Sequence, residues 1–238
     1  MRQFGQLYAT AAVVLAALTG CGGDLTLPDA TGAGLALAVV GGDRQQGTVG
    51  DTLPQPVVVL VRTEGGQPIA NREVAFAPGE GQATSFTPDT AITGPDGKAV
   101  TRWVLGTSPG QYTAVATIVA QADAPPPVTI QASAVAGTPD TVRALSETAQ
   151  PGRRNQTLPN PLVVQVVDRF GNPVAGADVE WDVEEGGGQV SSEHVPTAAD
   201  GTSSVSWTLG GGFGLQRVTA EVDGAHGSPV TFTAAVLF

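Results

Sequence analysis

The sequence is poor in cysteine, in positive charge and in helical periodicity. Its 238 residues include one Cys, which excludes a disulfide framework and a cysteine-based zinc cluster, because each needs at least two thiols. Only 11 Lys and Arg stand against 22 Asp and Glu, and the net charge of −11 repels nucleic acid phosphates. No segment of about a dozen residues repeats its apolar positions every 3.6 residues. We therefore expect neither a nucleic acid partner nor long helices.

Apolar residues and turn formers are abundant instead. The chain is 41% apolar and contains 32 Gly and 18 Pro, which is too apolar for a disordered protein. Short β-branched or alternating runs are separated by Gly, Pro, Asn or Asp, as in a β-sandwich. These runs cover residues 57–61, 100–105, 112–119, 162–167, 203–209 and 217–222. Two Asp-Gly pairs, Asp96-Gly97 and Asp200-Gly201, predict tight turns.

The first twenty residues have the layout of a secretory signal. Arg2 precedes an apolar run from Ala11 to Leu18 that is too short to span a bilayer. The next residues complete the sequence Leu18-Thr19-Gly20-Cys21, which resembles the lipobox of bacterial lipoproteins. The resemblance implies a signal peptide over 1–20, a diacylglycerol on Cys21, and a tether over 21–34. The alternative is an ordinary signal peptide beside an unrelated Cys.

The rest of the chain contains an internal sequence repeat of two units. Leu53-Pro54-Gln55-Pro56 matches Leu158-Pro159-Asn160-Pro161 at an offset of 105 residues, and this offset continues through Gly66 and Gly171. After one deletion, Trp103 matches Trp207 at an offset of 104. The repeat and the strand spacing predict two tandem β-sandwich domains over 35–136 and 138–238. Between them, Gly137-Thr138-Pro139-Asp140 forms a short joint whose proline limits bending.

One strand of the second repeat carries a row of acids. Alternation over 178–184 points Val179, Trp181 and Val183 inward, and the matching strand of the first repeat points Val74 and Phe76 inward. The outward residues are Asp178, Glu180, Asp182 and Glu184. A divalent cation or a basic partner would relieve their repulsion. Alternatively, the charges keep crowded copies from pairing their sheets.

The second repeat resembles a known family. Its Leu-Pro-x-Pro strand, the run from Asp168 to Gly176, Val179-x-Trp181 and the later Trp207 are similar to the bacterial Ig-like domain of group 1, the repeat of invasin and intimin. The first repeat departs from the pattern at Thr63, Gln67 and Phe76. The resemblance implies an Ig-like sandwich used in rows on bacterial surfaces, often in adhesins. The export barrel and receptor-binding tip of those adhesins have no counterpart in the pattern, so adhesion does not follow from the fold.

Catalytic and metal-binding patterns are not evident. Gly106 to Gly110 has the G-x-S-x-G spacing, but a β-pattern follows the serine where a nucleophile elbow needs a helix. His194 and His226 lie in polar loops without ligand spacing. We predict no enzyme, no cofactor and no metal site. The acidic row Asp178, Glu180, Asp182 and Glu184 is the one candidate should a cation bind.

Two classes of function remain. In the first, the chain is a lipid-anchored, non-catalytic protein of the cell envelope whose tandem domains act as a spacer or as an interaction or adhesion module. In the second, it is an accessory subunit that binds polysaccharide or another envelope protein, for which an exposed aromatic strip would be a sign. Gly22 stands where the enterobacterial pattern places Asp in proteins kept at the inner membrane. The resemblance therefore favours the outer membrane.

Overall fold

The computed structural model describes residues 34–119 and 124–236, all within one compact unit from Ala33 to Phe238. Within these ranges the chain forms eighteen β-strands and no helix, so the predicted all-β class is confirmed. No helix in the described part of the chain could cross a membrane.

The N-terminal sandwich is built from the first nine strands. They are β1 (Leu35–Gly41), β2 (Gln45–Thr48), β3 (Val57–Thr63), β4 (Glu73–Pro78), β5 (Ser85–Thr87), β6 (Thr90–Ile92), β7 (Lys98–Val104), β8 (Gly110–Ile118) and β9 (Val128–Val135). One sheet has the order β1-β3-β7-β5, and the other has the order β2-β9-β8-β4-β6. Neighbouring strands are antiparallel except for β2 and β9, which run parallel.

The C-terminal sandwich repeats this plan. Its strands are β10 (Thr141–Ala144), β11 (Ala149–Gly152), β12 (Leu162–Val167), β13 (Glu180–Glu185), β14 (Gly188–Val190), β15 (Thr202–Val205), β16 (Trp207–Leu209), β17 (Gly214–Glu221) and β18 (Val230–Val236). The sheets have the orders β10-β12-β15, β11-β18-β17-β13 and β14-β16. The parallel pair is again formed by the second and last strands, β11 and β18. The predicted run 203–209 is divided at Ser206, between β15 and β16.

Each sandwich has its own hydrophobic core. Alternating residues of β3 and β12 point inward because successive side chains of a strand face opposite sides of the sheet. Trp103, Trp181 and Trp207 have no exposed surface. Val74 and Phe76 are buried as predicted. The two apolar clusters share no residue, one lying within 35–134 and the other within 136–236.

The two predicted Asp-Gly turns are present. Gly97 and Gly201 have φ angles of +73° and +74°, in the left-handed region that favours glycine. The preceding aspartates accept hydrogen bonds from the amides of Lys98 and Thr202. These bonds, together with the side-chain bonds from the same two residues, lower the pKa of Asp96 and Asp200 below 3.8.

Candidate functional site

The acidic row does not lie along a single regular strand. β13 begins at Glu180, so Asp178 precedes it, and a register shift between Val183 and Glu185 places Glu184 in an irregularity. Trp181 is fully buried, whereas Val183 is only half-buried. The prediction that the four acids face solvent is correct, since all of them are exposed. The predicted alternation holds in the burial of residues 178–184, although the strand itself begins only at Glu180.

Some of the acids have partners that the sequence did not reveal. Oδ2 of Asp178 lies 3.1 Å from Nδ1 of His194, and Oε1 of Glu184 accepts a 3.3 Å hydrogen bond from the Thr219 hydroxyl. Glu180 pairs directly across the ladder with Glu221 on β17, a like-charge arrangement that destabilises a sheet. Together with Asp223, the carboxylates of Asp178, Glu180 and Glu221 line a cleft of about 260 Å³.

The expected absence of a metal site and the lipidation of Cys21 both stay predictions. Over residues 34–119 and 124–236, His, Cys, Asp and Glu form no group of three or more that could hold a metal ion. Cys21, the predicted lipidation site, lies outside the described residues, as do the signal peptide and nearly all of the tether.

The loops proposed as turns connect strands. Ser108 lies between β7 and β8, and the Tyr112 hydroxyl donates a 2.7 Å hydrogen bond to its carbonyl. A strand therefore follows this serine, as the sequence predicts. Two aromatic rings are well exposed among the described residues, Phe170 and Phe213, and an arginine guanidinium lies over each at 4.6 Å from the ring centroid. The described residues form no exposed aromatic strip.

The joint between the sandwiches is organised around Asp168. This residue follows β12 and is 2% exposed. Its Oδ2 accepts a 2.9 Å hydrogen bond from the amide of Gly137 in the joint. Its Oδ1 accepts bonds of 2.9 Å from the amides of Phe170 and Asn172, and the Asn172 side chain donates to both oxygens. One buried carboxylate thus ties the turn 168–172 to the chain segment that leaves the N-terminal sandwich.

The same turn contacts the end of the N-terminal sandwich directly. Nδ2 of Asn172 donates a 2.8 Å hydrogen bond to the carbonyl of Thr107. Nη2 of Arg169 lies 3.3 Å from Oδ1 of Asp51, although both side chains are more than half exposed and such a pair contributes little. Asp51 and Arg169 also line a cleft of about 390 Å³ beside Gly137.

Phe170 packs where the N-terminal sandwich has a glycine. A Cβ atom added to Gly50 would lie 2.6 Å from Cζ of the Phe170 ring, closer than real Cβ contacts allow. Gly50 also has a φ of +73°. This position therefore needs glycine both for its backbone conformation and for the ring above it.

Burial and hydrogen bonding act in opposite directions on Asp168. Burial raises its pKa, because it disfavours the charged form. The bonds donated by the Asn172 side chain and by the amides of Gly137, Asn172 and Phe170 outweigh this and hold the pKa below 3.8. The carboxylate is therefore ionised at neutral pH, and the joint contains a buried negative charge whose bonds are charge-assisted.

Sequence reasoning found the parts of this joint but not their connection. It identified Gly137–Asp140 as the joint, and Asp168 and Asn172 as positions of a family pattern. The available signal was the difference between repeats, since the first has Thr63 and Gln67 at the matching positions. Thr63 has one side-chain oxygen, which accepts from the amide of Gln67. It has no second oxygen for a linker amide.

The two-sheet strand order and the separate cores define tandem β-sandwiches of the Ig-like class. Residues 144–235 match the family model of the bacterial Ig-like domain (group 1), the family that the second repeat is predicted to resemble. No curated protein sequence matches this chain.

Several solved structures are similar to this chain, and one of them aligns with a TM-score above 0.5. The Escherichia coli adhesin FdeC aligns with a TM-score of 0.54 at 18% identity over 85% of this chain and 64% of its own. InvD of Yersinia pseudotuberculosis aligns with a TM-score of 0.49 at 14% identity, over 84% of this chain and 57% of its own. The D0-D1 domain of intimin aligns with a TM-score of 0.34 at 19% identity, covering 84% and 94%. This chain spans less than two thirds of the adhesin and of InvD.

Proposed function

We propose that this protein is a lipid-anchored, non-catalytic spacer and interaction module of the cell envelope. The observation that carries the proposal is the joint, in which the buried Asp168 binds Gly137 while Asn172 reaches across to Thr107. A spacer needs fixed angles between its domains, and hydrogen bonds on both sides of a short linker restrict bending. The proposed domains are the sandwiches over 35–136 and 138–238.

The proposed anchor is Cys21, after removal of residues 1–20. Two acyl chains, each burying about 15 methylenes at roughly 0.8 kcal/mol, give on the order of 20 kcal/mol of membrane affinity, whereas one chain alone binds marginally. Removal of residues 1–20 takes away Arg2 and changes the net charge from −11 to −12, which opposes attraction to anionic lipids, so the rest of the chain adds no electrostatic anchor. The outer membrane is the proposed location because Gly22 follows the cysteine.

The proposed interaction is contact with another protein. The Escherichia coli structure that shares this fold is described as an adhesin, which supports a role in surface contact. Both the fold and the net negative charge are compatible with a display domain that stays soluble among crowded copies.

The test of anchoring is the variant Cys21→Ser. We expect it to move from the membrane fraction to the soluble fraction, or to keep its signal peptide, while the melting curve of the sandwiches stays unchanged. Mass spectrometry of the native N-terminus gives the direct measurement. A mature chain that begins elsewhere, or one without added diacylglycerol mass, would reject the lipoprotein part of the proposal. The spacer part is tested separately through Asp168, as described in the Discussion.

A further inference from the structure

The outer end of the C-terminal sandwich repeats the surface that receives the turn 168–172. We call the receiving surface of the N-terminal sandwich the inner platform (Gly50, Asp51 and Thr107) and its repeat the outer platform (Asn155, Gln156 and Gly211, with Arg153 and Arg154). Gly50 donates to the carbonyl of Gly106 at 2.8 Å, and Asn155 donates to that of Gly210 at 3.2 Å. Leu105 donates to the Asp51 carbonyl and Leu209 to the Gln156 carbonyl, both at 3.0 Å. The two platforms therefore share these two backbone hydrogen bonds.

The turn that would fit such a platform also occurs twice. In the C-terminal sandwich, Gly171 donates to the carbonyl of Asp168 at 2.9 Å and closes the turn that docks on the inner platform. In the N-terminal sandwich, Gly66 donates to the carbonyl of Thr63 at 2.8 Å in the same way. We call residues 63–67 the free turn. It lies at the opposite end of the chain from the outer platform.

The large and small residues of the platform and the turn are exchanged between the inner contact and the proposed outer one. At the inner platform, Gly50 provides the space that the Phe170 ring fills. At the outer platform the matching residue is Asn155, with a similar left-handed φ of 57° but with a side chain. In the free turn the residue that matches Phe170 is Gly65. The outer platform thus has a side chain, Asn155, at the position where the free turn has none, at Gly65.

The outer platform and the free turn also carry opposite charges, although Arg153 and Arg154 match Thr48 and Val49 rather than Asp51. The inner pair has the acid on the platform and the base on the turn, as Asp51 and Arg169. The outer platform has the bases Arg153 and Arg154, both exposed, and the free turn has the acid Glu64 where the other turn has Arg169. Gln67 matches Asn172 and offers a side-chain amide for the exposed Gly211, as Asn172 does for Thr107.

We propose that the outer platform binds the free turn of a second copy of this chain, head to tail. The inference goes beyond the proposed function and does not depend on the anchor. Such a contact is heterologous, so it continues from copy to copy and gives either a filament or a closed ring. The free turn is adjacent to Gly34, whose carbonyl accepts from the amide of Glu64. Addition to a membrane-held copy therefore requires a second copy that is not held at the same surface.

The experiment uses the full chain with Cys21→Ser, so that no lipid contributes to association. Its association is measured by sedimentation equilibrium at concentrations up to about 1 mM. We expect concentration-dependent association. The double variant Arg153→Glu, Arg154→Glu places negative charges opposite Glu64. We expect it to weaken the association about tenfold or more. Gly65→Phe blocks the contact by size, at a position where the nearest atom to an added Cβ is 3.7 Å away.

Mixing the two variants gives the decisive result. The first has a blocked platform and an intact free turn, and the second has an intact platform and a blocked turn. We expect each to be monomeric alone and the mixture to form a 1:1 dimer and nothing larger. The proposal is overturned if the parent chain is monomeric throughout, if either variant associates as the parent does, or if the mixture stays monomeric. Circular dichroism melts confirm that both variants are folded.

Discussion

Oδ2 of Asp168 and the amide nitrogen of Gly137 lie 2.9 Å apart, and this hydrogen bond joins the turn after β12 to the segment that leaves β9. The other carboxylate oxygen holds the amides of Phe170 and Asn172. A single buried side chain therefore both shapes the turn that docks on the N-terminal sandwich and fixes the linker beside it.

Asp168→Asn should loosen the joint. The amide nitrogen of the new side chain cannot accept from Gly137, and a buried donor is left without its partner. We expect the C-terminal sandwich to lose about 2 to 3 kcal/mol of unfolding free energy. Spin labels at Ser85 and Ser204, both exposed, should give a narrow distance distribution in the parent and a broader one in the variant. Asp182→Asn, on an exposed acid away from the joint, is the control and should change neither quantity. A distribution that stays narrow in Asp168→Asn would contradict the spacer proposal.

The stability of the C-terminal sandwich should fall in acid because of Asp168. Its pKa in the folded protein is below 3.8, so unfolding at low pH takes up a proton. The contribution of Asp168 to stability is complete above its pKa in the unfolded chain. It is lost as the pH falls through its lower pKa in the folded protein. Denaturant melts between about pH 5 and pH 2 should show a slope at most about 1.4 kcal/mol per pH unit steeper in the parent than in Asp168→Asn. Because Asp96 and Asp200 titrate in both chains, the difference isolates Asp168. Parallel curves would show that its native hydrogen bonds do not favour the ionised form.

Trp181→Ala and Glu180→Ala test the inward and outward faces of β13. The Trp181 ring is fully buried, lies 5.8 Å from the Phe232 ring, and donates through Nε1 to the Ser203 hydroxyl at 3.1 Å. Its removal should cost about 3 to 5 kcal/mol through cavity formation. Glu180 is exposed and faces Glu221, so its removal should change stability by less than about 0.5 kcal/mol. Equal losses in denaturant melts would mean that the faces are wrongly assigned.

Gly201→Ala and Gly176→Ala separate backbone strain from steric clash. Both glycines have a φ of +74°. A Cβ at Gly201 would lie 2.6 Å from the carbonyl oxygen of Val166, whereas a Cβ at Gly176 would meet nothing within 4 Å. We expect Gly176→Ala to cost about 1 kcal/mol and Gly201→Ala to cost at least about 1 kcal/mol more. Thermal melts that rank the two variants in the opposite order would contradict this assignment.

The fold was predictable from the sequence because its signals are local. Alternation buries Trp181 and Phe76 whatever the rest of the chain does, and a positive φ at Gly97 and Gly201 follows from the Asp-Gly pairs. The irregularity at Glu184 was not predictable, because it depends on the register with β17. The pairing of Asp178 with His194 joins residues 16 positions apart through a loop. For the same reason, the bond from Gly137 to Asp168 appears only when the chain is folded.

The parallel pairing of the second and last strands of each sandwich determines how the molecule responds to a pull on its ends. β2 pairs with β9 over four residues, and β11 pairs with β18 over four residues. Parallel neighbours drawn from opposite ends slide along each other, so their hydrogen bonds are loaded together rather than opened one at a time. Tension that enters before β2 and leaves after β18 meets this arrangement twice in series, once in each sandwich. Each sandwich therefore resists such a pull by shear of its own parallel pair.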